Sequence, residues 1–368
     1  MSDFLTASSF DTLELRRDAL GHEAFARSVL HFLAGMPPGS LLALQGSRGR
    51  GKTDALARVM QLTQATPTPA FWVNPWEHTG SSLVAPVEHL VHAMAARART
   101  MGLDEAVLQP ILDRLLHPGR LEAPGAVAPS FRKLAEMLLA PEQQGRTLIV
   151  LIDDLDRCTP DRRTTVLKTL RFLLAAGAPV SVVATAFPWE DWVNHRAPFD
   201  LRLTLGPVDS ETLRALIRVQ MERTVSLHEL ALQDRTLREA LPAGWTQLEV
   251  VAHGALAVPS LRNPRLVKRI FTTIALLAAA RRLPPLEQAG ELRLMIQYLA
   301  IAERWPALRR LLVGQGMSQG LDHVAGHSWP GLEDEPGLQE LFADLATRLS
   351  SAKVVFPRIE EVLVRAGF

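Results

Sequence analysis

Gly46-Ser47-Arg48-Gly49-Arg50-Gly51-Lys52-Thr53 follows the pattern G-x-x-x-x-G-K-[ST], and the residue types suit phosphate. Glycines let successive backbone N–H groups turn inward as an anion nest. A helix opening at Lys52 adds the positive end of its dipole. Lys52 would reach the terminal phosphates as a point charge, and the Thr53 hydroxyl would take a place on Mg²⁺. Gly46, Ser47, Arg48, Gly49, Arg50, Gly51, Lys52, Thr53 and Asp54 are therefore the expected nucleotide-lining residues. The second chemical stretch is Leu148-Ile149-Val150-Leu151-Ile152-Asp153-Asp154, two carboxylates at the end of an apolar run. One carboxylate, Asp153, would hold the magnesium through its water shell. The other, Asp154, would orient or deprotonate an attacking water.

Both stretches need strands that end in one place. Leu41–Leu44 is a short apolar run before the glycines, and Ala55, Leu56, Val59 and Met60 recur behind them at helical spacing. Gly21–Ala34 reads as a helix closed by Pro37-Pro38-Gly39. Ala70–Asn74, Thr147–Ile152, Pro179–Ala186 and Leu201–Leu205 read as further strands. Ser81 to Leu116 has a helical pattern, Leu121–Ser130 reads as a loop, and Phe131–Leu139 and Asp161–Ala176 as helices. Strands alternating with helices predict a parallel α/β sheet with ligands at the carboxyl ends of its strands. The phosphate loop, Asn74, Asp153-Asp154 and Thr185 all fall at such ends. From Asp209 onward only helical periodicity remains: Glu211–Thr224, Trp245–Ala257, Pro264–Ala280, Glu287–Glu303, Pro306–Val313 and Gly337–Leu349, with a seam at Pro284-Pro285.

The 368 residues suggest two or three domains, and 47% hydrophobic with 21% charged residues place the chain among globular proteins. A net charge of +1 gives no footprint for nucleic acid or an anionic membrane. The single cysteine, Cys158, rules out an internal disulfide and fits a reducing, cytoplasmic setting. Met1-Ser2-Asp3-Phe4 lacks the basic-then-apolar order of a secretory signal, and no apolar run is long enough for an integral membrane segment. Glu88, His89 and His92 lack the order and third ligand of a zinc site and read as a solvated face. Cys158 reads as a small packed residue. Trp245–Ile270 could be mistaken for a helix-turn-helix, which the balanced charge does not support.

Ile152-Asp153-Asp154-Leu155-Asp156-Arg157-Cys158 resembles the Walker B signature of the KAP family of P-loop NTPases, related to the AAA+ and STAND ATPases. Other segments are similar: Asp18-Ala19-Leu20-Gly21-His22 with Phe25-Ala26, Val73-Asn74-Pro75-Trp76, and Asn263-Pro264-Arg265-Leu266-Val267-Lys268-Arg269. The resemblance covers residues 18 to about 280; a loose likeness at Ala302-Glu303-Arg304-Trp305-Pro306 extends beyond it. It implies a five-stranded parallel sheet of order 5-1-4-3-2, sandwiched by helices and followed by an all-helical C-terminal part. The domains would be residues 1–208 as the P-loop core with a helical insert at 78–146, 209–283 as a helical lid, and 284–368 as a C-terminal helical region.

The resemblance implies ATP and Mg²⁺ as ligands, ATP hydrolysis, and a conformational switch. Bacterial members are associated with phage defence and membrane-linked signalling. Relatives in the wider group assemble when ATP bridges subunits, so a protein partner or ATP-dependent self-association is expected. Many relatives carry transmembrane helices between the two Walker motifs; residues 78–146 contain none. Thr185 falls where relatives have a sensor group, or is a strand-end hydroxyl satisfying its backbone. Asn74 restrains Asp154 by a hydrogen bond, or simply makes a strand-terminal turn. Arg265 folds over the nucleotide from the lid, or is an exposed helix-start arginine. Arg157 acts as an arginine finger, or pairs with Asp156 or Asp161, the preferred reading. Arg48 and Arg50, where the family has a Trp and small residues, are expected to face solvent. An ATPase is the favoured reading because the Asp153-Asp154 pair is intact; the alternative is a nucleotide-dependent scaffold with negligible turnover.

Overall fold

The computed structural model describes residues 20–64, 68–78, 84–117, 126–139, 146–186, 199–232, 244–258, 261–279, 289–314, 316–326 and 338–366, together with Asp18 and Ser82. The expected seam at Pro284-Pro285 and residues 121–125 of the expected loop lie outside them. The described residues divide into two compact units, Gly21–Gly206 and Pro207–Phe368, with Leu20 packed in the second.

The first unit is built on five parallel strands: β1 (Leu41–Gln45), β2 (Ala70–Val73), β3 (Leu148–Ile152), β4 (Val180–Ala186) and β5 (Leu201–Thr204). Their order is β2-β3-β4-β1-β5, the expected 5-1-4-3-2 read from the other edge. Alternate residues of the inner strands enter different cores, as the two-residue side-chain period requires. Leu148, Val150 and Ile152 of β3 join one core, and Ile149 and Leu151 the other. The first core is closed by α3 (Ala85–Thr100), α4 (Glu105–Leu116), α5 (Val127–Met137) and α6 (Pro160–Leu174), through residues such as Leu90, Leu108, Phe131 and Leu167. The second is closed by α1 (His22–Gly35) and α2 (Lys52–Gln64), through Ala26, Val29, Leu33, Ala55, Leu56 and Val59. Burial on both faces is why β1, β3 and β4 read as nearly continuous apolar runs, whereas β5 alternates apolar with polar residues.

Two boundaries differ from the sequence reading. The helical pattern from Ser81 to Leu116 is two helices. Gly102 takes a positive φ of 79° and ends α3, where the Leu103 amide returns to the Ala98 carbonyl at 3.1 Å. The Asp104 carboxylate then caps α4 by accepting from the Ala106 amide at 2.9 Å. The loop expected at Leu121–Ser130 is shorter, because Val127–Ser130 already belong to α5. Pro129 sits in that first turn, where a missing N–H costs nothing.

The second unit is all helical: α7 (Ser210–Leu232), α8 (Gly244–Ala255), α9 (Pro264–Ala279), α10 (Ala289–Arg304), α11 (Pro306–Gly314), α12 (Met317–Gly326), α13 (Leu338–Ala346) and α14 (Leu349–Ala366). Helices from before and after the expected seam share one core, including Leu216, Ile270, Tyr298, Leu308 and Phe356. The sequence reading lacked α12 and α14. Among the described residues no helix is long and apolar enough to cross a membrane.

Candidate functional site

The sheet order fixes which strand ends are neighbours. Asn74 follows β2, Asp153 to Asp156 follow β3, Thr185 is the penultimate residue of β4, and the glycine loop follows β1. In the loop, Gly49 and Gly51 have φ values of 84° and 91°, a region that a side chain strongly disfavours. Arg50 donates from Nε to the Ser47 hydroxyl at 3.0 Å, so it braces the loop from within, whereas Arg48 is exposed at its tip.

Lys52 points back into the loop. Its ammonium donates to the Gly46 carbonyl at 2.8 Å, lies 3.5 Å from the Ser47 carbonyl, and forms an ion pair with Asp156 Oδ2 at 2.9 Å. Thr53 lies beside Asp153. Asp153 is only 3% exposed. Burial, aided by the neighbouring charge of Asp154 and opposed by the nearby Thr53 hydroxyl, pushes its carboxyl up to about 7. Asp153 has no ion pair among the described residues. A hydroxyl and a buried carboxylate without a cation form a hard oxygen donor set that a magnesium ion would complete, with phosphates and waters as its other ligands. No cluster of three or more His, Cys, Asp or Glu able to hold a metal exists among the described residues. A P-loop magnesium does not need one.

Asp154 stands in the left-handed region at φ 53° and is half-buried. Its Oδ2 accepts from Arg157 Nη1 at 3.0 Å and from Asn74 Nδ2 at 3.5 Å. Asn74 also donates to Glu77 at 3.1 Å, and its Oδ1 accepts from the Trp76 amide at 3.1 Å. It therefore makes both the strand-terminal turn and the bond to Asp154. The Arg157 guanidinium lies 4.7 Å from the centroid of the half-exposed Trp76 ring. The expected partners of Arg157, Asp156 and Asp161, are not the ones found. The Leu155–Arg157 3₁₀ turn brings residues 154 and 157 together and turns Asp156 inward to Lys52.

Thr185, fully buried, does not satisfy its own strand. Its hydroxyl accepts from the Leu155 amide at 3.2 Å and donates to Asp156 Oδ1 at 3.4 Å. Asp54 turns its carboxylate to His22 Nδ1 at 2.7 Å, tying α2 to the start of α1. Burial pushes the Cys158 thiol up to about 11, and its Sγ lies 3.6 Å from the Asp154 carbonyl, so it is the packed residue expected. His89 and His92 are exposed. Arg265 is exposed in the first turn of α9, where Pro264 takes the first helical position and Asn263 caps through the Arg265 amide at 3.0 Å.

The sequence reading missed the role of Asp156 and of Trp76. Both stand beside residues it singled out; what it lacked was the direction each side chain takes in the turn.

The five-stranded order and the loop at the end of β1 define a P-loop NTPase fold. Residues 51–185 match the KAP family P-loop domain. A search of curated proteins finds no match. Among solved structures, PCH-2 from C. elegans is 11% identical, with 76% of this chain and 69% of that chain covered and a TM-score of 0.40. The Drosophila ORC bound to DNA is 13% identical, with 88% and 66% covered and a TM-score of 0.34. A DNA replication initiation factor is 11% identical, with 90% and 93% covered and a TM-score of 0.35.

Proposed function

We propose that this chain is an ATPase in which water attacks the γ-phosphate in line and the nucleotide state switches the helical second unit. The observation that supports this most is the buried 2.9 Å ion pair between Lys52 of the loop and Asp156, three residues past the Asp153 that follows β3. The loop lysine and the strand-end acids, distant in sequence, meet in one place. In this reading Gly46 to Thr53 and Asn74 line the nucleotide, Lys52 binds the terminal phosphates, and Thr185 acts from behind them through Asp156. Thr53 and Asp153 would hold Mg²⁺, which when bound neutralises charge on the phosphate oxygens. Asp154 orients the attacking water and takes its proton. Residues 209–283 act as the lid, with Arg265 reporting on the γ-phosphate, and residues 284–368 form the C-terminal region it moves with. ATP-dependent self-association or a protein partner would read the switch, in defence or signalling by family association.

The test is phosphate release by the wild type and by Asp154→Asn, with ATP binding measured for each. The variant should bind ATP like the wild type while turnover falls about 100-fold or more, the range for losing a general base. A second reading has one observation in its favour. Asp154 is held by Arg157 and Asn74 and is not free to face water. A nucleotide-dependent scaffold with negligible turnover would keep it so. Equal, negligible phosphate release by both proteins, with ATP bound by both, selects that reading.

A further inference from the structure

Lys52 and Asp156 form an ion pair whose side chains are only 8% and 7% exposed. An ammonium has three protons to donate. The Gly46 carbonyl, the Ser47 carbonyl and Asp156 lie around this one. A terminal phosphate in the loop needs the same ammonium and repels the same carboxylate, so the two anions compete. Asp156 is also bound from the other side. Its Oδ1 accepts from Thr185, whose hydroxyl in turn accepts from the Leu155 amide. The Leu155–Arg157 turn, directly after Asp154, is thus anchored by the cluster that holds Lys52.

We infer that Asp156 is a positioning residue. It stands in for the terminal phosphate on Lys52 when no triphosphate is bound. When Lys52 turns to a phosphate, Asp156 loses its cation, and the change passes through Thr185 and Leu155 to the turn that carries Asp154. Removing charge from Asp156 therefore has two opposite effects. Triphosphate binding tightens, because the competitor is gone and the buried ammonium gains from any anion. Turnover falls, because occupancy of Lys52 no longer sets the Asp154 turn. A purely structural pair would not separate the two.

This inference rests on the nucleotide reading above, and its test keeps the two apart. Wild type, Lys52→Ala, Asp156→Asn, Asp156→Glu and Thr185→Val are titrated with a fluorescent ATP analogue and assayed for phosphate release, and each is melted with and without ATP. Asp156→Asn should bind about tenfold tighter, gain more in Tm on adding ATP than the wild type, and turn over at least about tenfold more slowly. Asp156→Glu, which restores the charge, should move both values back toward the wild type. Thr185→Val should shift both in the Asp156→Asn direction by about threefold, and it decides the matter if Asp156→Asn does not fold. Affinity and turnover that fall together, or that both stay unchanged, overturn the inference while nucleotide binding by the wild type stands. No binding by the wild type, or binding indifferent to Lys52→Ala, overturns the nucleotide reading and this inference with it.

Discussion

Charge held away from open solvent is handled differently in the two units. In the helical unit, Arg293 donates three times to Asp344, at 2.9, 3.0 and 3.3 Å, and Gln297 adds a fourth bond at 2.6 Å. Glu360 accepts from Tyr298 at 2.6 Å and from Arg309 at 3.0 and 3.1 Å. Burial pushes the Tyr298 hydroxyl up, with the bond to Glu360 acting in the same direction, so it stays a donor. Each acid has its cation, and each group joins helices distant in sequence. At the strand ends of the first unit, three carboxylates fall within four residues. Asp156 has Lys52 and Asp154 has Arg157, but Asp153 has no cation among the described residues. Balanced groups staple helices. A site with an acid left over, next to a loop shaped for anions, is poised for a ligand that carries its own cation.

The comparison breaks if loop variants act only on stability, or if variants of these helical ion pairs act on nucleotide. The largest effect is expected from Lys52→Ala. It should weaken ATP binding by about 100-fold or more, the loss of a charged contact to phosphate. It should also cost about 3 kcal/mol of stability, because Asp156 stays buried without its cation. Titration and thermal melting read the two. Next is Glu360→Ala, which strips Tyr298 and Arg309 of their acceptor. It should cost about 2–3 kcal/mol and lower the Tm by roughly 5–10 °C. ATP affinity and turnover should not move, and a change beyond about threefold in either would erase the distinction between the units.

What the sequence could tell follows the same division. β1, β3 and β4 were legible because they run through a two-sided core, with β3 buried at all five positions, and β5 because Leu201 and Leu203 alternate with Arg202 and Thr204. The loop and the acid pair were legible because a turn and a strand end are local patterns. The contact between Lys52 and Asp156 was not, because it depends on a 3₁₀ turn that directs one acid inward and another outward. In the helical unit the signal was weaker. Pro357 lies inside α14 and reads as a breaker, although the buried faces of Val355, Phe356 and Ile359 carry the helix through it. Gly316, with φ 79°, and Gly320, packed against Leu312, obscured α12 in the same way.

The smallest effect sharpens the comparison inside the site itself. Lys52 and Asp156 are enclosed, whereas Arg157 and Asp154 are 36% and 19% exposed in their side chains. An ion pair that open to solvent is worth at most about 1 kcal/mol, and stacking on Trp76 adds a comparable amount. Arg157→Ala should therefore leave ATP affinity unchanged. If the guanidinium restrains Asp154, the variant should raise basal phosphate release by about two- to fivefold, the rate equivalent of that energy. Trp76→Ala should act in the same direction and more weakly, because it removes the platform and leaves the ion pair. Asn74→Ala loosens Asp154 from the other side, through a bond of 3.5 Å. A fall in turnover for Arg157→Ala that appears only at protein concentrations supporting self-association would instead make the arginine a finger toward a neighbouring copy. The sign of one small change thus separates a restraint within the chain from a contribution across an interface.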